Sequence, residues 1–334
     1  MIRLQHKVAK GAFRLDVDVE IPGTGVTGVF GESGSGKTTL LRCIAGLEDG
    51  SGLAAHKRNV GYVFQQPTLF PHLDVRGNVE YGARRAKVRR MATDQVVALL
   101  GLGDLLERDA ESLSGGEAQR VAIAAALLRS PDIVLMDEPL ASLDRTRKDE
   151  LLPYFDRLHD ELSVPVIYVS HDIEEVSRIC DHLVLLEDGR VAASGNLTDV
   201  LATVDSPLLY GRNAGVVLWA IPVDHEDGLT RFDFADGDIW VPGEFETGTS
   251  PLRLRIAASD VSITRERPAQ TTILNVLRAT VEEVRPVDAA TALVRLGIGN
   301  QDVLAQVTNR SVRRLELQPG ERVFAQVKSV TVRR

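Results

Sequence analysis

The sequence predicts two domains of different class. An α/β domain with a mainly parallel sheet and a helical subdomain comes first, and a small all-β domain follows. Three observations carry this. Apolar, β-branched runs alternate with helical patterns from residue 1 to about 200. A glycine-rich loop joins one such run to one such helix. Near residue 203 the texture changes to short alternating strands with turn signals. The expected division is 1–205 and 206–334, with the helical subdomain at about 70–130; a chain of 334 residues suits about two domains.

The buried runs are Val26–Phe30, Val60–Phe64, Ile133–Met136, Val166–Val169 and Leu183–Leu186. They lack alternation, as strands covered on both faces do. Thr38–Leu47 and Ala118–Arg129 repeat their apolar residues at helical spacing. Thr203–Gly215, with its Asp-Ser-Pro and Gly-Arg-Asn-Ala-Gly, reads as a linker. Leu229–Phe234 and Ile239–Val241 flank Ala235–Asp238 as a hairpin. Ala292–Leu296 and Val303–Val307 flank Gly297–Asn300 as another, and Val323, Ala325 and Val327 alternate with polar neighbours in a last strand.

Composition excludes several classes. With 44% hydrophobic and 26% charged residues the chain is neither disordered nor collagenous nor fibrous. No apolar run approaches the ~18 residues of a membrane span. The first twenty residues hold no apolar leader core, so no signal peptide is expected. Cys43 and Cys180 stand in no metal spacing, and reduced thiols in the cytosol are the plain expectation. The net charge of −8 divides unevenly: residues 251–334 carry 14 basic against 8 acidic groups, the rest 25 against 39. The basic tail has no dense run, so no nucleic-acid partner is expected.

Gly31-Glu32-Ser33-Gly34-Ser35-Gly36-Lys37-Thr38 fits G-x-x-x-x-G-K-[ST] between a strand and a helix. Glycines let backbone N–H groups curl around phosphate oxygens, and the helix N-terminus adds a positive dipole end. Lys37 is placed for the β- and γ-phosphates, Thr38 for a Mg²⁺ ion, and Thr39 follows in the same turn. Further on, Leu113-Ser114-Gly115-Gly116-Glu117 precedes a helix, and the strand Ile133–Met136 runs into Asp137-Glu138. An apolar strand ending in two carboxylates suits a phosphate loop: Asp137 for the metal, Glu138 to polarise the attacking water.

These residues together resemble the ATPase subunit of ABC transporters over residues 1 to about 200. Gly31–Thr38 matches the phosphate loop, Ser114–Glu117 the signature, and Asp137-Glu138 the metal-and-base strand. Gln65 matches the Q-loop glutamine, Asp144 in Ser142-Leu143-Asp144 the D-loop, and His171 the switch histidine. The resemblance implies ATP hydrolysis with Mg²⁺ held by Thr38, Gln65 and Asp137. Glu138, His171 and Gln65 would be the catalytic set. It also implies a head-to-tail homodimer in which Ser114, Gly115, Gly116 and Glu117 complete the partner's ATP site.

The sequence departs from that pattern in three places. Glu117 replaces the usual Gln. Glu48–Arg58 is too short for the usual hairpin, so a trimmed antiparallel edge is expected. Phe13 is the candidate to stack on adenine, with a core role as the other reading.

Gln66–Ser112 is too short for the coiled coil of repair ATPases. Leu69–Val75 resembles the segment of importer ATPases that receives a permease's coupling helix. The tail narrows the class further. Thr271–Val281 and Phe324–Val332 resemble the opening and closing strands of the small, OB-like, molybdate-binding β-barrel domain. Thr271, Thr272, Lys328 and Ser329 supply the hydroxyls and the cation that a tetrahedral dianion such as molybdate or tungstate wants. The resemblance therefore implies the ATPase subunit of a molybdate importer on the cytoplasmic face of the membrane. It would work with two permease subunits and an extracytoplasmic oxyanion-binding protein. A sulfate, iron or polyamine importer is one alternative; a molybdate sensor or storage protein is another.

Overall fold

Each apolar run becomes a strand, and the strand order decides which loops meet. In a computed structural model describing residues 1–48, 54–84, 86, 88, 90–202, 214–235 and 237–332, the chain divides into two compact units, Met1–Gly195 and Asn196–Arg334. The expected linker falls largely at 203–213, outside the described residues.

The first unit is built on β1 (Ile2–Lys10), β2 (Phe13–Ile21), β3 (Val26–Phe30), β4 (Val60–Val63), β5 (Ile133–Asp137), β6 (Val166–Ser170), β7 (His182–Glu187) and β8 (Arg190–Asn196). They form one eight-stranded sheet in the order β1-β2-β8-β7-β3-β6-β5-β4. β7, β3, β6, β5 and β4 run parallel. β3 and β6 are buried at every position, which is why their sequences show no alternation. Sequence expectations begin the sheet at Val26; the structure adds β1 and β2, paired antiparallel over their full nine residues. The signal was the alternation of β2, where Leu15, Val17, Val19 and Ile21 enter the core between charged neighbours. The trimmed edge is expected of a different segment, Glu48–Arg58. Of the short segment 48–58, residues 49–53 lie outside the described ones, and Ala55–Lys57 is a single 3₁₀ turn.

The helices of this unit are α1 (Lys37–Ala45), α2 (Val75–Ala83), α3 (Thr93–Leu99), α4 (Gly115–Leu128), α5 (Arg145–Glu161) and α6 (Ile173–Ile179). α4 starts at Gly115, three residues before the expected Ala118, because Ser114 and Glu117 close a capping box across its first turn. That box supplies the local stabilisation that two adjacent glycines lack.

The second unit begins with α7 (Leu197–Ala202). It continues with β9 (Gly215–Glu226), β10 (Leu229–Phe234), β11 (Gly237–Pro242), β12 (Leu252–Ala257), β13 (Val261–Thr264), β14 (Asn275–Pro286), β15 (Thr291–Ile298) and β16 (Gln301–Thr308). α8 (Asn309–Leu315), β17 (Arg322–Val327) and β18 (Thr331–Val332) complete it. Two five-stranded sheets result, β11-β10-β9-β12-β18 and β13-β17-β14-β15-β16, an all-β architecture of OB-like type. Their inner faces share one core that includes Phe232, Phe234, Ile239, Leu254, Leu293 and Val303. Both expected hairpins form with tighter turns than expected, because Phe234 pairs with Gly237 and Ile298 with Gln301.

Two amide side chains tie this unit together. Asn275 Nδ2 donates to the Trp240 carbonyl at 3.0 Å, and its Oδ1 accepts from Trp240 N–H at 2.7 Å. Gln301 makes the same two-way pair with the backbone of Trp219, at 3.1 Å each way. Each amide thus imitates a strand residue, and that of Asn275 satisfies partly buried backbone groups of Trp240.

Candidate active site

In an open α/β sheet the ligand crevice lies beyond the carboxyl ends of the parallel strands. β3, β4, β5 and β6 end there in Gly31–Gly36, Gln65, Asp137-Glu138 and His171 respectively. The loop after β3 depends on glycine at two points. A Cβ on Gly31 would collide with the Leu186 carbonyl, and Gly36 caps α1 at φ 103°, with the Phe13 ring against it. Lys37 is buried, and its ammonium donates to the carbonyls of Gly31 and Glu32, both at 2.8 Å. Burial pushes the Lys37 ammonium below its usual value, against the opposing pull of the Glu138 and Asp137 charges. Ser35 Oγ is buried without a hydrogen-bond partner, an acceptor and donor held ready inside the loop.

Thr38 Oγ1 donates to Asp137 Oδ1 at 2.9 Å, which joins the start of α1 to the end of β5. Two oxygens at that spacing are the hard donors a Mg²⁺ ion takes, so the residues present fit the ion. Glu138 follows at φ 46°, a left-handed backbone that non-glycine residues rarely adopt and that functional sites often hold. Its N–H is fixed by the Val169 carbonyl at 3.0 Å, and its Oε2 stands 3.1 Å from His171 Nδ1. Lys37, Thr38, Asp137, Glu138 and His171 therefore meet at the carboxyl ends of the central strands β3, β5 and β6.

The other anticipated residues fall in distinct places. Gln65 lies exposed in the bend after β4, whose neighbour in the sheet is β5. Ser114 caps α4, and Glu117 returns the contact: Ser114 N–H donates to Glu117 Oε2 at 2.7 Å, while Glu117 N–H donates to Ser114 Oγ at 3.3 Å. The Ser114 N–H holds the Glu117 carboxyl below its usual range. Arg108 Nη1 also donates to Glu117, at 3.1 Å. Gln at this helix position could make the same box, which is why Glu is tolerated here. Asp144 caps α5 by accepting from Arg147 N–H at 3.0 Å. Phe13 packs on the core and on Gly36, beside an open cleft of about 620 Å³ that Arg14, Glu187, Asp188 and Arg190 also line.

Thr271, Thr272, Lys328 and Ser329 are all exposed. Asn275 of β14 pairs with Val327 of β17, so the four flank one end of that strand pair. Thr271 Oγ1 donates to Gln326 Oε1 at 3.3 Å. Asn275, the residue that completes the Thr-Thr-x-x-Asn opening, is committed to Trp240 and serves the fold.

Motif reading missed Tyr62. Its hydroxyl donates to Asp137 Oδ2 at 3.0 Å, so both carboxylate oxygens of Asp137 are held, one by α1 and one by β4. Burial first, then the Asp137 charge, raises the Tyr62 hydroxyl and keeps it a donor. The only signal in the sequence was a tyrosine in a strand three residues before Gln65, which spacing alone does not distinguish from a core residue.

Comparison with known proteins agrees with this geometry. The pattern of the ABC transporter family matches residues 15–141, and that of the TOBE domain matches residues 271–333. A solved structure, cbiO1 from Clostridium perfringens, described as part of the ABC transporter complex cbiONQ, superposes with a TM-score of 0.52 at 28% identity. It covers 60% of this chain and 90% of its own. Fold and site define the class: this is an ATP-binding, ATP-hydrolysing domain of ABC transporter type, carrying a C-terminal TOBE domain.

Full-length relatives narrow the class. Molybdenum import ATP-binding protein ModC of Methylococcus capsulatus is 48% identical over 96% of both chains. Molybdenum import ATP-binding protein ModC 1 of Azotobacter vinelandii is 48% identical over 99% of this chain and 98% of its own. The chain belongs to the family of molybdenum import ATP-binding proteins. The sulfate, iron, polyamine, sensing and storage alternatives are not favoured.

Proposed function

We propose that this chain is the ATP-hydrolysing subunit that powers molybdate import through a separate membrane permease. The observation that carries the mechanism is the meeting of Lys37, Thr38, Asp137, Glu138 and His171 at the carboxyl ends of the central strands. Gly31, Glu32, Ser33, Gly34, Ser35, Gly36, Lys37, Thr38 and Thr39 cradle the phosphates of ATP. The Lys37 ammonium faces the β- and γ-phosphates, and the unpaired Ser35 hydroxyl supports the loop. The cleft beside Phe13 takes the base and ribose. Thr38, Asp137 and Gln65 would hold Mg²⁺, which would supply positive charge to the transferred phosphoryl group. Glu138 accepts a proton from the attacking water, and His171, in hydrogen-bond reach of Glu138, orients it.

The signature caps the start of α4 and the phosphate loop precedes α1; by the resemblance to ABC ATPases, a second copy completes the site. In that homodimer Ser114 and the N–H groups of Gly115 and Gly116 present a helix N-terminus to the partner's γ-phosphate, with Glu117 holding the cap. Asp144, the cap of α5, would lie in the D-loop of that dimer. No helix among the described residues is long and apolar enough to cross a membrane. The chain docks on the cytoplasmic face of two permease subunits, which receive molybdate from an extracytoplasmic binding protein. The receiving surface is the groove lined by Tyr62, Phe64, Leu69, Phe70 and Tyr81. The C-terminal domain pairs with its twin and binds molybdate or tungstate through Thr271, Thr272, Lys328 and Ser329, so that internal anion restrains its own import.

Mixing two inactive variants tests the composite site. Lys37→Ala removes the phosphate cation, and Ser114→Arg blocks the signature. Their mixed dimer has one doubly defective site and one intact site, so about half of one dimer's activity is expected back. Mixed dimers that form and stay silent overturn the head-to-tail arrangement. Calorimetric titration of the full chain with molybdate, tungstate and sulfate tests the tail. Heat that Lys328→Ala abolishes supports the anion site, and no heat with any of the three refutes it.

A further inference from the structure

Beside the catalytic edge lies a buried polar cluster that phosphate binding leaves unexplained. Glu175 of α6 is 4% exposed and accepts three hydrogen bonds: from Lys148 Nζ at 2.6 Å, Tyr168 OH at 2.9 Å and Ser170 Oγ at 2.8 Å. Lys148 Nζ also donates to Asp172 at 3.3 Å, and Asp172 N–H donates to Ser170 Oγ at 3.0 Å. The residues on both sides of His171 are therefore held by this cluster, while the His171 ring faces Glu138. Lys148 belongs to α5, and its N–H donates to the carbonyl of Asp144, the helix cap, at 3.0 Å. One helical turn thus links the Asp144 loop to the loop of His171. Deeper in the same helix pair, Arg178 and Asp156 form a second ion pair at 2.7 Å.

A buried ion pair is a poor source of stability, because an apolar pair of the same volume often does as well. What it does supply is a fixed geometry, since the buried Glu175 carboxylate would lose its cation if Lys148 moved away. We propose that the Lys148–Glu175 pair, with Ser170 and Tyr168, is a positioning device that locks the loop of His171 to the helix beginning at Asp144. The histidine and the Asp144 turn then move as one body. Lys148 and Glu175 act through His171 and are positioning residues. The inference rests on the assignment of Glu138 and His171 to hydrolysis.

The test uses the full chain with radiolabelled ATP, so that slow turnover can be measured. Lys148→Met is expected to lower kcat about tenfold with KM for ATP within about twofold of wild type, because a misplaced orienting group weakens the transition state more than ATP binding. Lys148→Arg, which restores the cation, is expected to recover most of kcat. In a His171→Ala background Lys148→Met is expected to change the residual rate less than about twofold, the sign of residues acting as a unit. Should Lys148→Met not fold, Ser170→Ala reads the same geometry: it removes one donor to Glu175 and the acceptor for Asp172 N–H. An unchanged kcat there overturns the proposal. So does a Lys148→Met kcat at wild-type level beside a slow His171→Ala, or an equal loss from Lys148→Met with and without His171. Normal turnover in both Glu138→Gln and His171→Ala overturns the catalytic assignment and the inference with it.

Discussion

The two units use polar side chains at their candidate sites differently. In the phosphate-loop unit, Ser35 Oγ lacks a partner, Lys37 is desolvated among carbonyls, and Glu138 sits on a left-handed backbone. In the all-β unit, Asn275 uses its amide on the backbone of Trp240 and Gln301 uses its own on Trp219. The anticipated anion ligands there, Thr271, Thr272, Lys328 and Ser329, lie exposed at a strand end. The difference teaches where chemistry is stored. The phosphate site keeps polar groups such as Ser35 Oγ that the fold has not satisfied, while the all-β unit uses the amides of Asn275 and Gln301 on its own backbone and leaves Thr271, Thr272, Lys328 and Ser329 at its surface.

The largest expected effect breaks the catalytic side of that comparison. Glu138→Gln keeps the shape of the site and removes the base, so kcat is expected to fall about a thousandfold with ATP affinity retained. Turnover within a few-fold of wild type would remove Glu138 from the role. The counterpart in the other unit is Asn275→Ala, which strands a buried N–H and carbonyl of Trp240. A loss of about 2–4 kcal/mol is expected in the urea unfolding of the all-β unit. The two tryptophans, Trp219 and Trp240, both lie in that unit, so their fluorescence reports it alone. ATP binding should be unchanged; a matching loss of ATP binding would show that Asn275 is no local staple.

A smaller effect sharpens the catalytic side. Tyr62→Phe removes one of the two donors to Asp137, worth about 1 kcal/mol, so affinity for Mg²⁺-ATP should fall about fivefold. Calorimetry with Mg²⁺ and with EDTA separates this from ATP binding itself, which should not change without metal. The smallest effect concerns pH. The folded state holds the Glu117 carboxyl below its ordinary value of 4.5, mainly through the Ser114 N–H. A depressed carboxylate contributes stability above its unfolded pKa, and that contribution is lost as pH falls through the folded value. Glu117→Gln should therefore lower neutral-pH stability slightly and flatten the further loss below about pH 4.5, measured by thermal melts across pH. Equal acid slopes in both proteins would show that the cap carries no net charge effect.

The sequence by itself determined the class. A phosphate loop needs its glycines and its lysine at fixed spacing because backbone and cation must meet one phosphate chain, so Gly31–Thr38 is legible as a string. Fully buried parallel strands such as Val26–Phe30 and Val166–Ser170 were equally plain, since burial on both faces demands continuous apolar runs. The half-exposed β1 and β2 were harder to see, because their charged faces dilute the apolar signal. Tertiary structure alone decided the partners of those motifs. Tyr62 reaches Asp137 across 75 residues of sequence, Lys148 reaches Glu175 across 27, and Asn275 reaches Trp240 across 35. Such contacts have no spacing rule, because they arise where separate elements meet in the fold, and a hydrogen bond depends on where two atoms stand and not on how far apart they lie along the chain.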